Sequence, residues 1–139
     1  MPQDRQRANE FNLKAGELGC SGGYFNLGIA YRDGMGVETD IKKAKHYFEL
    51  AAMKGNVNAR HNLGCEEGEA GKIERAYKHL IISAKAGHKD SLELVKIGFR
   101  NGKVTKDEYA NTLRAYQKIN DEMKSEERDK AARVMQDRS

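Results

Sequence analysis

Tryptophan is absent from the 139 residues, proline occurs once, cysteine twice, and aromatic residues make up only 7% of the chain. With 38% hydrophobic against 33% charged residues, a large globular core is not expected. A thin core shared between neighbouring helices fits this composition better. Two cysteines, Cys20 and Cys65, do not make a disulfide framework, which points to a reducing, intracellular and cytoplasmic setting. No apolar run approaches the roughly 20 residues of a membrane span, and the opening stretch Met1-Pro2-Gln3-Asp4-Arg5-Gln6-Arg7 lacks the apolar core of a secretory signal. No membrane partner is expected.

The formal net charge is +4, but Lys and Arg are interleaved with Asp and Glu throughout. A nucleic-acid surface needs clustered basic residues, so no nucleic-acid partner is expected. Catalytic signatures are missing as well. There is no nucleophile elbow, P-loop or dinucleotide fingerprint, and Gly34-Met35-Gly36 follows a helix rather than a strand, so it is a turn and not a phosphate cradle. The Cys/His sets of zinc sites are absent. His61 and Cys65 share a helical face four residues apart, but two ligands do not make a metal site. The chain is therefore expected to have no catalytic residues, cofactor or metal.

What the chain does have is self-similarity. Leu27-Gly28 recurs as Leu63-Gly64, 36 residues on, within Tyr24-Phe25-Asn26-Leu27-Gly28 and Arg60-His61-Asn62-Leu63-Gly64. Ala44-Lys45-His46-Tyr47 recurs as Ala76-Tyr77-Lys78-His79, and Ala51-Ala52-Met53-Lys54-Gly55 as Ser83-Ala84-Lys85-Ala86-Gly87, both 32 residues on. The difference of four residues places a shorter loop between the two helices of the second unit. Phe99-Arg100-Asn101-Gly102 echoes Tyr31-Arg32-Asp33-Gly34 in a third unit, and Ala15-Gly16-Glu17-Leu18-Gly19 echoes Ala51 to Gly55. The chain thus opens on the second helix of a unit.

Each unit reads as two helices. Ile41, Ala44, Tyr47, Phe48, Ala51 and Ala52 trace one helical stripe, with Asp40 as N-cap and Gly55 after the C-terminus. The preceding helix carries Gly23, Leu27, Gly28 and Tyr31 on one face, where small residues let backbones approach. Later in the chain, Thr105 and Glu108 have capping-box spacing, and Tyr109, Leu113 and Tyr116 give the following helix an apolar face.

These residues resemble the Sel-1-like repeat, a relative of the tetratricopeptide repeat. Its pattern runs roughly Ala-x-x-x-Leu-Gly-x-x-Tyr-x-x-Gly-x-Gly-Val, then Asp-x-x-Lys-Ala-x-x-Tyr-x-x-Ala-Ala-x-x-Gly. Leu27, Gly28, Tyr31, Gly34, Gly36, Val37, Asp40, Lys43, Ala44, Tyr47, Ala51, Ala52 and Gly55 match it, with Gly23 where Ala is usual. The second unit keeps Ala59, Leu63, Gly64, Ala76, Ala84 and Gly87 but has Glu66-Glu67-Gly68-Glu69-Ala70-Gly71 in place of the Tyr and the Gly-x-Gly-Val turn. That acidic segment reads as a solvated loop. The third unit has Lys96 where Gly is expected, drift that suits a capping repeat.

The resemblance implies an all-α fold, an α/α superhelix or solenoid of antiparallel helix pairs. It divides the chain into a repeat array over 4–120, made of a lone helix 4–18, repeats 21–55 and 57–87 and a divergent capping repeat 89–119, then a charged tail over 121–139, helical or frayed. It also implies a non-enzymatic scaffold whose concave groove holds a protein or peptide partner. In tetratricopeptide relatives an Asn near the place of Asn26 and Asn62 can grip the backbone of a bound peptide, and an amide offers both a donor and an acceptor. The candidate groove is therefore Asn26, Asn62, Tyr24, Arg60 and His61. The arrangement also resembles the repeat tail of algal, diatom-type proteins with an upstream RING-type zinc finger, in which this piece would recruit partners for a ubiquitin-ligase-like protein. An RNA-binding helical repeat is the alternative. Self-association or a longer parent chain follows from the need of each unit for neighbours.

Overall fold

The computed structural model describes residues 2–138, with the side chains of 3–137. Met1, and Ser139 at the end of the expected tail, lie outside the described residues. The described residues form seven α-helices and no strand: α1 (Pro2–Glu17), α2 (Ser21–Asp33), α3 (Ile41–Met53), α4 (Val57–Glu69), α5 (Ile73–Lys85), α6 (Lys89–Arg100) and α7 (Lys106–Arg138). Helix α1 packs on α2, α2 on α3, α3 on α4, and α6 on α7, the consecutive packing that helical-repeat solenoids use.

Local sequence sets the helix ends. The first turn of a helix has backbone N–H groups without intrahelical partners, and a short polar side chain just ahead can accept from one. The Asp40 carboxylate accepts from the Lys43 N–H at 3.1 Å. Asn56 Oδ1 accepts from the Ala59 N–H at 2.9 Å to start α4, and His88 Nδ1 from the Ser91 N–H at 3.1 Å to start α6. At the start of α7 the capping box is reciprocal: the Thr105 N–H donates to Glu108 Oε1 at 2.9 Å, and the Glu108 N–H to Thr105 Oγ1 at 3.1 Å. Gly55 follows α3 at φ 92°, a left-handed conformation that glycine adopts without a Cβ clash.

The chain divides into two compact units, one running through Leu80 and the other from Ile81 onward. In the first, Tyr24, Leu27, Ala44, Phe48, Ala51, Ala52, Ala59 and Leu63 form one buried cluster. The Leu-Gly pairs work by division of labour. Leu27 and Leu63 enter the core, while the following glycine leaves a hollow for a side chain of the next helix. A Cβ on Gly28 would stand 2.5 Å from the Phe48 ring, and one on Gly64 2.9 Å from the Leu80 side chain. The link between α2 and α3 folds back onto α1. Gly36, at φ 79°, has room for no Cβ, since one would lie 2.7 Å from Arg5 Cβ, and Asn9 Nδ2 donates to the Met35 carbonyl at 2.8 Å.

In the second unit α6 packs on α7. Ser83, Ala84, Ser91, Val95, Val104 and Thr112 are buried, the Phe99 and Tyr109 rings meet at 4.7 Å, and Thr112 Oγ1 donates to the Glu108 carbonyl at 2.6 Å. From residue 121 to 137 every side chain of α7 is exposed.

The capping box is pH-sensitive. Hydrogen bonds from the Thr105 backbone and then its hydroxyl hold the Glu108 carboxyl below its ordinary value. Such a group contributes stability that is complete above the unfolded-state pKa of about 4.3 and is lost as the pH falls through the lower folded value. Amide exchange in the first turn of α7 is therefore expected to quicken, relative to α6, as the pH drops below about 4. Glu108→Gln removes most of that pH dependence, and an unchanged profile in this variant would show the box to be energetically idle.

Candidate partner-binding site

Two helix pairs of the first unit present the same surface with different chemistry. In the first repeat three tyrosines lie together. Tyr24 and Tyr31 sit seven residues apart on α2, so their side chains share a face, and Tyr47 on α3 stacks against both, with centroid distances of 6.0 Å to Tyr24 and 5.6 Å to Tyr31. Lys43 Nζ lies over the Tyr31 ring at 5.3 Å from its centroid, within cation–π reach. Burial, and then the neighbouring Tyr31, Tyr24 and Glu17, push the Tyr47 hydroxyl above its ordinary pKa, so it stays a neutral donor and acceptor at physiological pH. Tyr31 and Tyr47 floor an open groove of about 310 Å³ whose other walls are Leu13, Leu27 and Val37 and whose rim is Gln6, Asn9 and Glu10. Asn9 also borders a narrower cleft of about 190 Å³ between α1 and α2, which Asn12 and Asn26 share.

In the second repeat the three equivalent places hold Arg60, Glu67 and His79. The aromatic trio has become a polar one. Arg60 Nη1 lies 3.4 Å from His79 Nδ1, and Arg60 Nη2 donates to the Ala52 carbonyl at 3.4 Å, so the guanidinium ties the end of α3 to α5 across α4. Burial lowers the pKa of His79, and the Arg60 charge adds to it. The imidazole is thus neutral at pH 7, with a lone pair on Nδ1 for Arg60. Glu67 takes the place of Tyr31, and Lys45, which stands where Asn9 stands one repeat earlier, reaches it at 3.3 Å.

The acidic segment corrects the sequence reading. Glu66, Glu67 and Glu69 are not a solvated loop, because α4 continues through Glu69. Both α2 and α4 have 13 residues, so the four missing residues come out of the link. That link spans 34–40 between α2 and α3 but only 70–72 between α4 and α5. Glutamates are good helix formers, and nothing in Glu66-Glu67-Gly68-Glu69 stops a helix that has already begun. Gly71, at φ 80°, makes the turn. Glu67 is only 7% exposed. Burial pushes its carboxyl up, but the hydrogen bond and charge of Lys45, with Lys72 and Arg75 behind, hold it below the ordinary value. Glu66 goes the other way: burial raises it against the opposing charges of Lys45 and Arg32, and Glu69 and Glu67 add to the rise.

The five groove residues expected from the sequence do not fall on one surface patch. Tyr24 is 9% exposed and belongs to the core cluster; its ring occupies the hollow at Gly16. Arg60 is a brace between helices. His61 and Cys65 are neighbours at 3.5 Å, and burial raises the Cys65 thiol above its ordinary pKa, the opposite of a reactive cysteine. Asn62 is partly buried. Asn26 is exposed and donates to Asn12 Oδ1 at 3.4 Å, the long end of hydrogen bonding. Tyr31 and Tyr47, which floor the groove of about 310 Å³, are not among the five. Their signal was in the sequence, as a tyrosine seven residues after Tyr24 and another in the stripe of α3, but helical spacing alone reads as packing. Among the described residues no group of three or more His, Cys, Asp or Glu could hold a metal ion, and no helix is long and apolar enough to cross a membrane.

Repeated helix pairs with a small-residue seam between them define a helical-repeat protein. The Sel1 repeat family model matches residues 1–20, 21–56 and 57–88, and the chain belongs to that family. Sel1 repeats are generally protein–protein interaction modules and typically non-catalytic. A putative sel1-like repeat-containing protein, L21, of Acanthamoeba polyphaga mimivirus is 36% identical over 63 residues, 45% of this chain. The chain spans 12% of that relative's length.

Proposed function

We propose that this chain is a non-catalytic scaffold that holds an extended segment of a partner protein in the α1–α2–α3 groove. The observation that carries the reading is the groove itself: a floor of two stacked tyrosines, apolar walls, and a rim of Gln6, Asn9 and Glu10. Aromatic and apolar surface supplies affinity, and a few polar groups fix orientation. Tyr31 and Tyr47 are already ordered by stacking on each other, so a bound segment loses little from immobilising them. Asn26, in the cleft that adjoins at Asn9, supplies an amide for the backbone of the segment. The long bond from Asn26 to Asn12 is cheaply exchanged for one to a ligand.

The test begins with capture of partners from the native lysate by the immobilised full chain, identified by mass spectrometry, and continues with affinities for the purified partner. Asn26→Ala, and separately Tyr31→Ala, should each weaken binding about tenfold or more, in the range of one lost anchor. Melting is measured beside affinity for each variant. Affinity per folded molecule that stays at the wild-type value while stability falls would assign these residues to folding and sink the groove.

A further inference from the structure

Glu67 is left half-satisfied. One carboxylate oxygen takes Lys45 at 3.3 Å; the other, Oε2, is closed to solvent and has no hydrogen-bond partner. Buried polar atoms are almost always paired, so an exception points to a missing group. Glu67 lines a cleft of about 480 Å³ built from the last turn of α2, the first turns of α3 and the end of α4, with Arg32, Ile41, Lys45, Glu66, Glu69 and Lys72. The cations there do not complete it. Arg32 is turned to Asp33, pairing with Oδ1 at 3.0 Å and Oδ2 at 3.2 Å, and Lys45, a single point charge, serves one oxygen of Glu67. Ile41, 60% exposed, offers an apolar wall at the cleft's edge.

We infer that this cleft receives an arginine side chain of a partner protein, with Glu67 as the buried acceptor and Glu66 and Glu69 as its acidic rim. This rests on the reading of the chain as a protein scaffold, but at a second station one repeat beyond the tyrosine groove. A guanidinium presents two parallel N–H donors and can engage both oxygens of a carboxylate at once, which an ammonium cannot. Its arrival displaces Lys45, whose side chain is already 42% exposed and passes into water at small cost. A partial rotation about the last side-chain torsion of Glu67 brings Oε2 to the cleft beside Oε1 as Lys45 leaves, so both oxygens face the guanidinium. The aliphatic stem of the incoming arginine lies along Ile41, as such stems do along apolar surface. An uncharged isostere has neither the charge nor the full donor fork to replace Lys45.

The tripeptides acetyl-Gly-Arg-Gly-amide, its lysine counterpart and its citrulline counterpart, titrated into the full chain and followed by backbone amide chemical shifts, test this without the natural partner. The arginine peptide should give saturable shifts confined to residues 41–45 and 66–72, with the citrulline peptide at least tenfold weaker and the lysine peptide between. Glu67→Gln should abolish the saturable shifts. Lys45→Ala, at a half-exposed site, should tighten the arginine peptide several-fold by removing the competitor, and so decides the matter even if Glu67→Gln fails to fold. Equal shifts from the citrulline peptide, or loss of binding in Lys45→Ala, would overturn the inference and leave an internal water only at Oε2. The tyrosine groove is not read by these peptides, so it stands or falls by its own variants.

Discussion

Phe48→Ala is expected to unfold most of the first unit near physiological temperature. Phe48 is 0% exposed, fills the hollow left by Gly28 and meets the Phe25 ring at 5.9 Å. Truncating a buried phenylalanine removes its transfer free energy and leaves a cavity, together about 3–5 kcal/mol. A domain of this size has roughly 5–15 kcal/mol in total and loses about 4–8 °C of Tm per kcal/mol, so a fall of some 15–30 °C follows. The residue cannot be replaced by collapse, because Gly28 brings backbone rather than a side chain to the other side of the ring. Overall helicity is a poor readout, since the second unit contributes its own helices; amide exchange in α2, α3 and α4 reports the first unit directly. Phe11→Ala is the control. Phe11 is 72% exposed, and its loss should change stability by less than about 0.5 kcal/mol. A Phe48→Ala variant within about 1 kcal/mol of the wild type would mean that the cluster is not the core of this unit.

Much of this is legible in the sequence. Asp40, Gly55 and the Thr105–Glu108 pair announce helix ends because capping is local: the side chain and the backbone group it serves are three residues apart. The Leu-Gly pairs and the alanine stripe announce a helix-pair core because packing repeats with the sequence. The proposed groove is harder to read for a specific reason. The place of Tyr31 recurs at Glu67 and that of Tyr47 at His79, but the two offsets differ by four residues, and whether these side chains meet depends on how the shortened link repositions one helix on the next. The same ambiguity made Glu66 to Gly71 read as a loop, since an acidic run without an apolar stripe carries no periodic signal. Tyr24 lies two residues from Asn26 in the sequence, which suggests a shared groove. On a helix, however, residues two apart point to nearly opposite faces, and Tyr24 went to the core. The family relationship did not resolve these points: its pattern specifies a packing position, and at Arg60, Glu67 and His79 this chain departs from packing residues altogether.

Gly22 and Gly23 provide a pair of adjacent substitutions with opposite signs. Both lie in the first turn of α2. A Cβ added to Gly22 meets nothing within 4 Å, so Gly22→Ala gains only the lower backbone entropy of the unfolded chain and the better helix propensity of alanine, about 0.5–1 kcal/mol of added stability. A Cβ added to Gly23 would run into the Asn12 carbonyl oxygen and stand 2.7 Å from the Gly16 backbone nitrogen. These are main-chain atoms of α1, which cannot swing aside as a side chain can, so α1 must move away from α2. Overpacking of this kind costs about 1–3 kcal/mol. The displacement would also disturb the ring of Tyr24, held in the hollow at Gly16, and with it the tyrosine stack. The contrast with the second repeat is informative. Ala59 stands in the equivalent place, fully buried against its neighbours, so an alanine methyl fits between repeats there. Gly23 therefore records a closer approach of α1 than the repeat requires. Thermal melts of the two single variants settle it, with the double variant falling near their sum if the sites are independent. Equal stabilisation by Gly22→Ala and Gly23→Ala would mean that α1 is free to shift, and that the groove it walls is not fixed before a partner arrives.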